Sequence, residues 1–262
     1  MKRALSLVIA FSLLSAACVK EDDPPDLPPA GSMTVDLAAV EAAPLVAKGE
    51  PNTQTIVPVQ YENFAQAWVR VKVLQLFAVG VIVVPGTAIA LALSQEPTES
   101  NGVWTWTVTV NSATAELDVS AGLASGWDVD LYVTDPQQSL DRYLWVEGDS
   151  NLDVTEGTWT LHDPELTGND EALAIEWSYT TDTDRSLAYV VRNSEIPESG
   201  DSITFTVAGT TASVTYVDAD DPSVMAEISW DTTTGAGQIT VPGFNGGAAA
   251  CWDELFENAD CP

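Results

Sequence analysis

One histidine, His162, stands among 39 acidic residues and three cysteines, Cys18, Cys251 and Cys261. That inventory limits the chemistry available. A Ser-His-Asp triad would have to use His162, and no Gly-x-Ser-x-Gly elbow is present. With a single histidine, a His-based zinc site has too few ligands. No P-loop and no Gly-x-Gly-x-x-Gly occurs. His162 lies in "GTWTLHDP", on the Thr158/Thr160 face near a strand end, and reads as a surface histidine. Carboxylates are the plentiful catalytic material, and glycosidases use two of them across a cleft. With so many acids, some pair at the right separation arises by chance, so a glycan hydrolase is the least supported reading. The acids could also bind a divalent cation, at "DTD" (182–184) or "DADD" (218–221). Neither stretch has the EF-hand spacing with its central Gly and closing Glu. The expectation is therefore no catalytic residue, no metal and no cofactor.

Nine tryptophans could stack on sugars, but their positions favour packing. From residue 103 onward the chain alternates with period two, the pattern of half-buried strands. "VWTWTVTV" (103–110) sets Trp104 and Trp106 with Val108 and Val110, opposite three threonines. "WDVDLYVT" (127–134) and "EALAIEWSY" (171–179) put Trp127 and Trp177 on apolar faces in the same way. Trp159 and Trp230 also fall on apolar faces. The stretches 113–120, 142–147, 155–162, 186–192, 202–207, 211–217, 225–232 and 237–242 extend the series to about eleven strands. Short Gly/Asp/Asn/Pro turns between them imply antiparallel hairpins. The predicted fold class is mainly β: a meander barrel or strongly curved sheet, apolar inside. A transmembrane barrel would carry aromatic girdles at its ends, whereas these tryptophans sit within the apolar face.

Residues 61–94 read differently. From Val73 to Leu93 no residue is charged. The length would allow a membrane-spanning helix, and "VRVKV" alternates as a strand would. The reading adopted is a largely buried helix from about 61 to 84, broken at Pro85, then a shorter helix to about 94. It would pack on or in the β domain.

The N-terminus sets the address. Lys2 and Arg3 precede an apolar run, Ala4 to Leu14, too short to span a bilayer and suited to a secretory signal. The run ends in Ser15-Ala16-Ala17-Cys18, which resembles the lipobox of bacterial lipoproteins. That resemblance implies cleavage after residue 17, lipid on Cys18, and membrane attachment. By the sorting rule of Gram-negative lipoproteins, Val19 implies the outer membrane. Residues 18–52, with "EDDPPDLPPAGS", would be an acidic, Pro-rich tether. "TVDLAAVEAA" (34–43) would add one short element. If Cys18 carries lipid, Cys251 and Cys261 remain as a pair in the tail "CWDELFENADC", and export allows a disulfide there. The stretch 142–162, "RYLWVEGDSNLDVTEGTWTLH", followed by "ALAIEW", resembles β-rich surface lipoproteins of Gram-negative bacteria without assigned activity. A shorter likeness joins "WDVDLYVTDP" to a strand of secreted pre-peptidase C-terminal domains.

Charge excludes one class of partner. The formal net charge is −30. Removing the signal takes two of the 9 basic residues and none of the 39 acids, leaving 7 against 39, or −32. Such a surface repels nucleic acid. The organisation expected is signal 1–17, tether 18–52 and one β-rich domain over 53–262. Its expected function is a non-catalytic, lipid-anchored envelope protein, structural or interaction-mediating. The alternative is a lipocalin-like carrier of an apolar ligand, with 61–94 as plug or lid.

Overall fold

The computed structural model describes residues 23–29, 32, 33, 35, 37–44, 57–122, 126–166, 170–196, 198–221 and 225–262, with backbone alone for 72–85. Cys18, residues 1–17 and much of the expected tether lie outside the described residues. Among the described residues two α-helices, α1 (Ala38–Glu41) and α2 (Glu62–Ala92), precede the strands. The strands follow as β1 (Thr98–Ser100), β2 (Val103–Val110), β3 (Ala113–Ala121), β4 (Gly126–Asp135) and β5 (Leu140–Asn151). Next come β6 (Glu156–His162), β7 (Glu171–Thr181), β8 (Asp184–Val191), β9 (Ser202–Ala208) and β10 (Thr211–Val217). The series ends with β11 (Met225–Asp231), β12 (Gly237–Thr240), β13 (Ala250–Trp252) and β14 (Asn258–Ala259).

All fourteen strands form one sheet in chain order, each pairing antiparallel with its neighbours. The strand count exceeds the expected eleven by β1, β13 and β14. These are only two or three residues long, too short to show a period of two. The ladder is open: β1 pairs only with β2, and β14 only with β13. Laid flat, such a sheet would be roughly 60 Å wide at the usual strand spacing. Yet Trp106 of β2, Phe205 of β9 and Trp252 of β13 belong to one buried cluster. The sheet must therefore curl strongly about its apolar face.

That face follows the alternation of the sequence. In register across β6 to β11 stand Trp159, Ile175, Tyr189, Ile203, Tyr216 and Ala226. Trp106, Trp159, Trp177 and Trp230 are buried, and Trp104 and Trp127 pack against the cluster. Burying a large apolar side chain contributes about 1.5–3 kcal/mol. Two glycines let the indoles lie close over the sheet. A Cβ at Gly148 would stand 2.3 Å from Trp159 Cε3, and one at Gly157 would stand 2.0 Å from the Asp149 carbonyl oxygen.

The inside of the curl receives the chain's own N-terminal segment. Ser32, Met33, Leu37, Val40 and Ala43 are all buried. Trp159 Nε1 donates to Ser32 Oγ at 3.2 Å, and the Tyr189 hydroxyl donates to the Met33 carbonyl at 3.0 Å. The sequence assigns this stretch to the tether. Its described apolar residues Met33, Leu37, Val40 and Ala43 instead belong to the same buried cluster as the sheet.

Helix α2 runs unbroken from Glu62 to Ala92, through Pro85, where the sequence predicts a break. A proline inside a helix costs about 3 kcal/mol. Packing at both ends offsets it: Phe64, Trp68 and Val71 are buried near the start, and Ala92 near the finish. The helix contacts β2 and β3 at one end of the ladder and β12, β13 and β14 at the other. Among the described residues, no helix is long and apolar enough to cross a membrane.

Cys251 and Cys261 form a disulfide with Cα atoms 5.2 Å apart. The tail it closes holds the start of α2. Asn258 Oδ1 accepts the Asn63 backbone N–H at 3.0 Å, one of the donors a helix N-terminus leaves unpaired. Asn63 Nδ2 donates to the Cys251 carbonyl at 2.7 Å. The Phe64 ring lies 5.6 Å from Trp252 and 4.8 Å from Phe256.

Candidate functional site

The inner faces of β7 to β11 continue past the buried cluster toward the β8–β9 loop. There Leu173, Tyr189, Ile203, Val214 and Ile228, with Val241 just after β12, wall a cavity of about 680 Å³. Val69 and Arg70 of α2 stand at the same cavity, and Val69 is 51% exposed, so the space opens to solvent beside the helix. This size and apolar lining are those of a small-molecule pocket.

Its mouth is polar and built from distant parts of the chain. Glu198 and Asp201 come from the β8–β9 loop, Tyr216 from the end of β10, and Arg70 from α2. The Tyr216 hydroxyl donates to Asp201 Oδ2 at 2.5 Å, and the Ala219 N–H donates to Asp201 Oδ1 at 2.9 Å. Burial, reinforced by that bond to Asp201, pushes the Tyr216 phenol well above its ordinary range, so it stays a neutral donor. Arg70 Nη1 donates to Gln66 Oε1 at 2.7 Å and to the Gln66 carbonyl at 2.9 Å, which lays the guanidinium along the helix. Tyr189 touches two things at once. Its ring walls the cavity, while its hydroxyl holds the N-terminal segment at Met33. Burial raises its phenol also.

The carboxylates gather elsewhere. A second cavity, of about 490 Å³, is lined by Asp128, Asp149, Asn151, Glu156, Thr158 and Glu176 among others. Asp128 stands opposite Asp149, and Glu176 opposite Thr158, whose hydroxyl donates to Asp149 at 2.5 Å. A hydrolytic pair needs one carboxyl held protonated. Among the described residues the carboxyl pushed upward is Asp130, by burial first and then by Glu147, Asp118 and Asp128. It is not part of this cavity's lining.

The other residues singled out by sequence fall into structural settings. His162, expected at the surface, has a side chain only 9% exposed. A register shift at Leu161/His162 ends the regular pairing of β6 with β7 there. Its Nδ1 lies 3.2 Å from Asp170 and its Nε2 3.5 Å from Glu147. Tyr143 donates to the same Asp170 at 2.9 Å. In 182–184, Asp182 accepts the Tyr179 hydroxyl. In 218–221, Asp218 Oδ1 accepts the backbone N–H groups of Asp220 and Asp221, closing a turn. Among the described residues, no group of three or more His, Cys, Asp or Glu side chains is placed to hold a metal ion.

The sequence signals the apolar wall but not the mouth. Arg70 and Glu198 are ordinary charged residues in local context, and only the curl of the sheet brings them to one opening. Compared with known proteins, the chain matches no protein-family model, and no curated protein is significantly similar to it.

Proposed function

We propose that this is a lipid-anchored cell-envelope protein, attached through Cys18, that binds an apolar ligand in the cavity beside α2. The observation that carries the reading is the apolar cavity of about 680 Å³ with a polar mouth. On this reading the curled sheet serves as a lipocalin-like cup, a barrel left open between β1 and β14. The envelope address rests on the signal-like N-terminus and the lipobox resemblance, with Val19 favouring the outer membrane. Cys18→Ser should leave the β domain folded and move the protein from the membrane fraction to the soluble fraction. Continued fractionation with membrane would place the anchor elsewhere, with 61–94 as the suspect.

Binding is tested with N-phenyl-1-naphthylamine, a neutral apolar probe that brightens out of water. It should bind the folded protein, and Ala226→Trp, which puts an indole into the cavity, should abolish binding. Circular dichroism confirms that the variant is folded. Absence of probe binding to the parent, with no lipid co-purified by native mass spectrometry, would sink the ligand reading. A purely structural or interaction-mediating envelope role would then stand. The continuous core, filled in part by Met33, Leu37, Val40 and Ala43, is what favours that second reading.

A further inference from the structure

The mouth of the cavity carries both signs of charge, and they do not meet. Arg70 stands on the helix side, and Glu198 and Asp201 on the loop side. Both Asp201 oxygens already accept protein donors. Among the described residues, Arg70 bonds only Gln66, and neither mouth carboxylate forms an ion pair with it. Glu198 takes no side-chain hydrogen bond among them either. Opposite charges held apart at the rim of an apolar space remain available to a ligand head.

We propose that the ligand is an amphiphile with an apolar chain and a zwitterionic head, its anionic group toward Arg70 and its cationic group toward Glu198. This rests on the ligand reading above and adds to it the chemistry of the head. A head with one charge meets attraction from one wall and repulsion from the other. Arg offers a planar fork matched to phosphate or carboxylate. Glu198 and Asp201 oppose an anion in the same opening. The whole chain adds to this preference: at a formal charge of −30 it repels net-anionic amphiphiles at long range, whereas a net-neutral head meets no such barrier. A phospholipid-type head and an alkyl betaine share this chemistry.

The test uses the exported chain with Cys18→Ser, which needs no detergent. It is loaded with N-phenyl-1-naphthylamine and challenged by three amphiphiles of equal chain length below their micelle thresholds: a lysophosphatidylethanolamine, an alkyl carboxylate and an alkylamine. The zwitterion should displace the probe about tenfold more tightly than either singly charged competitor, the effect of one charge-assisted contact. An alkyl betaine competing like the lysophospholipid assigns the preference to the two charges; weaker competition by the betaine assigns it to the phosphate. Arg70→Gln should shift the ranking toward the alkylamine, and Glu198→Gln toward the alkyl carboxylate, each read relative to that variant's own affinity for the probe. Equal competition by all three amphiphiles, or variants that leave the ranking as it was, would overturn the proposal while the cavity reading stands. No probe binding at all would overturn both.

Discussion

Asp130 shows how this acidic surface is held. In register it lies between Asp118 and Glu147, so three acids stand side by side across β3, β4 and β5. Burial raises its carboxyl, and Glu147, Asp118 and Asp128 add to the shift against the hydrogen bond from Tyr132. A carboxyl raised in the folded state binds its proton more tightly there than when unfolded. Its favourable contribution is present below the ordinary Asp value and is lost as pH rises through the folded pKa. Asp130→Asn should therefore stabilise the protein at neutral pH, by about 0.5 kcal/mol once exposure is allowed for. Urea melts at neutral and at acid pH should show the gain only in the first. Asp170 has the opposite sign. Burial opposes its ionisation, but hydrogen bonds with Tyr143 and His162 outweigh that and lower its pKa. Its contribution is present above the ordinary value and lost as pH falls through the lowered one. Gly157 makes a sharper residue-scale prediction. Gly157→Ala drives a methyl into the Asp149 carbonyl and toward the Trp177 ring. A loss of more than about 3 kcal/mol is expected by thermal or urea unfolding. Nothing in the local sequence of Gly148 or Gly157 announces this role, because the indole above each glycine belongs to the next or a neighbouring strand.

At the scale of elements, the bulged β4–β5 pairing directs a cation, Arg142, onto the outer acid face. Register shifts between Leu131/Tyr132 and Val133/Asp135 leave Arg142 with a φ of 48°. Bulges re-aim side chains. Here the guanidinium reaches Glu116 at 2.8 Å and Asp118 at 2.7 Å, over the Tyr132 ring. The C-terminal tail works on a larger element. Reducing the Cys251–Cys261 bond, or Cys251→Ser, should cost about 2–3 kcal/mol for so short a loop. Because the tail caps α2, amide protons over residues 62–71 should lose protection along with those of β13 and β14. If the helix start keeps its protection while the tail loses its own, the clamp is elsewhere. Strands β2 to β12 were legible from alternation, since each is long enough to show two faces. Helix α2 was legible as a helix but not as one piece, because packing at its two ends outweighs the local cost of Pro85. The burial of Met33, Leu37, Val40 and Ala43 was hidden by the acid and proline before them.

For the whole molecule, a formal charge of −30 is self-repulsive. Raising salt from near zero to about 0.1 M shortens the Debye length to about 10 Å. The melting temperature should rise, by about 2–4 °C for each kcal/mol of repulsion screened. A flat or falling response in a salt series would mean that the acids are already neutralised by bound cations. The sequence leaves a closed barrel and an open, strongly curved sheet as alternatives, since closure depends on whether the first and last strands meet. They do not, and both edges are short. The three residues of β1 and the two of β14 are exposed, and Glu99 puts a charge on the first edge. Short, charged edges discourage pairing with other chains. The meander also has a consequence for timing. Every strand finds its partner next door in the chain, so the sheet can assemble hairpin by hairpin with low contact order. The segments that enter its core are different: Ser32 and Met33 need Trp159 and Tyr189, and α2 needs the tail at 250–259. A polypeptide made from its N-terminus thus releases its apolar helix α2 well before the clamp for that helix. Vectorial synthesis leaves α2 waiting while the whole of β1 to β12 is made, and the helix start docks only once residues 250–259 have followed.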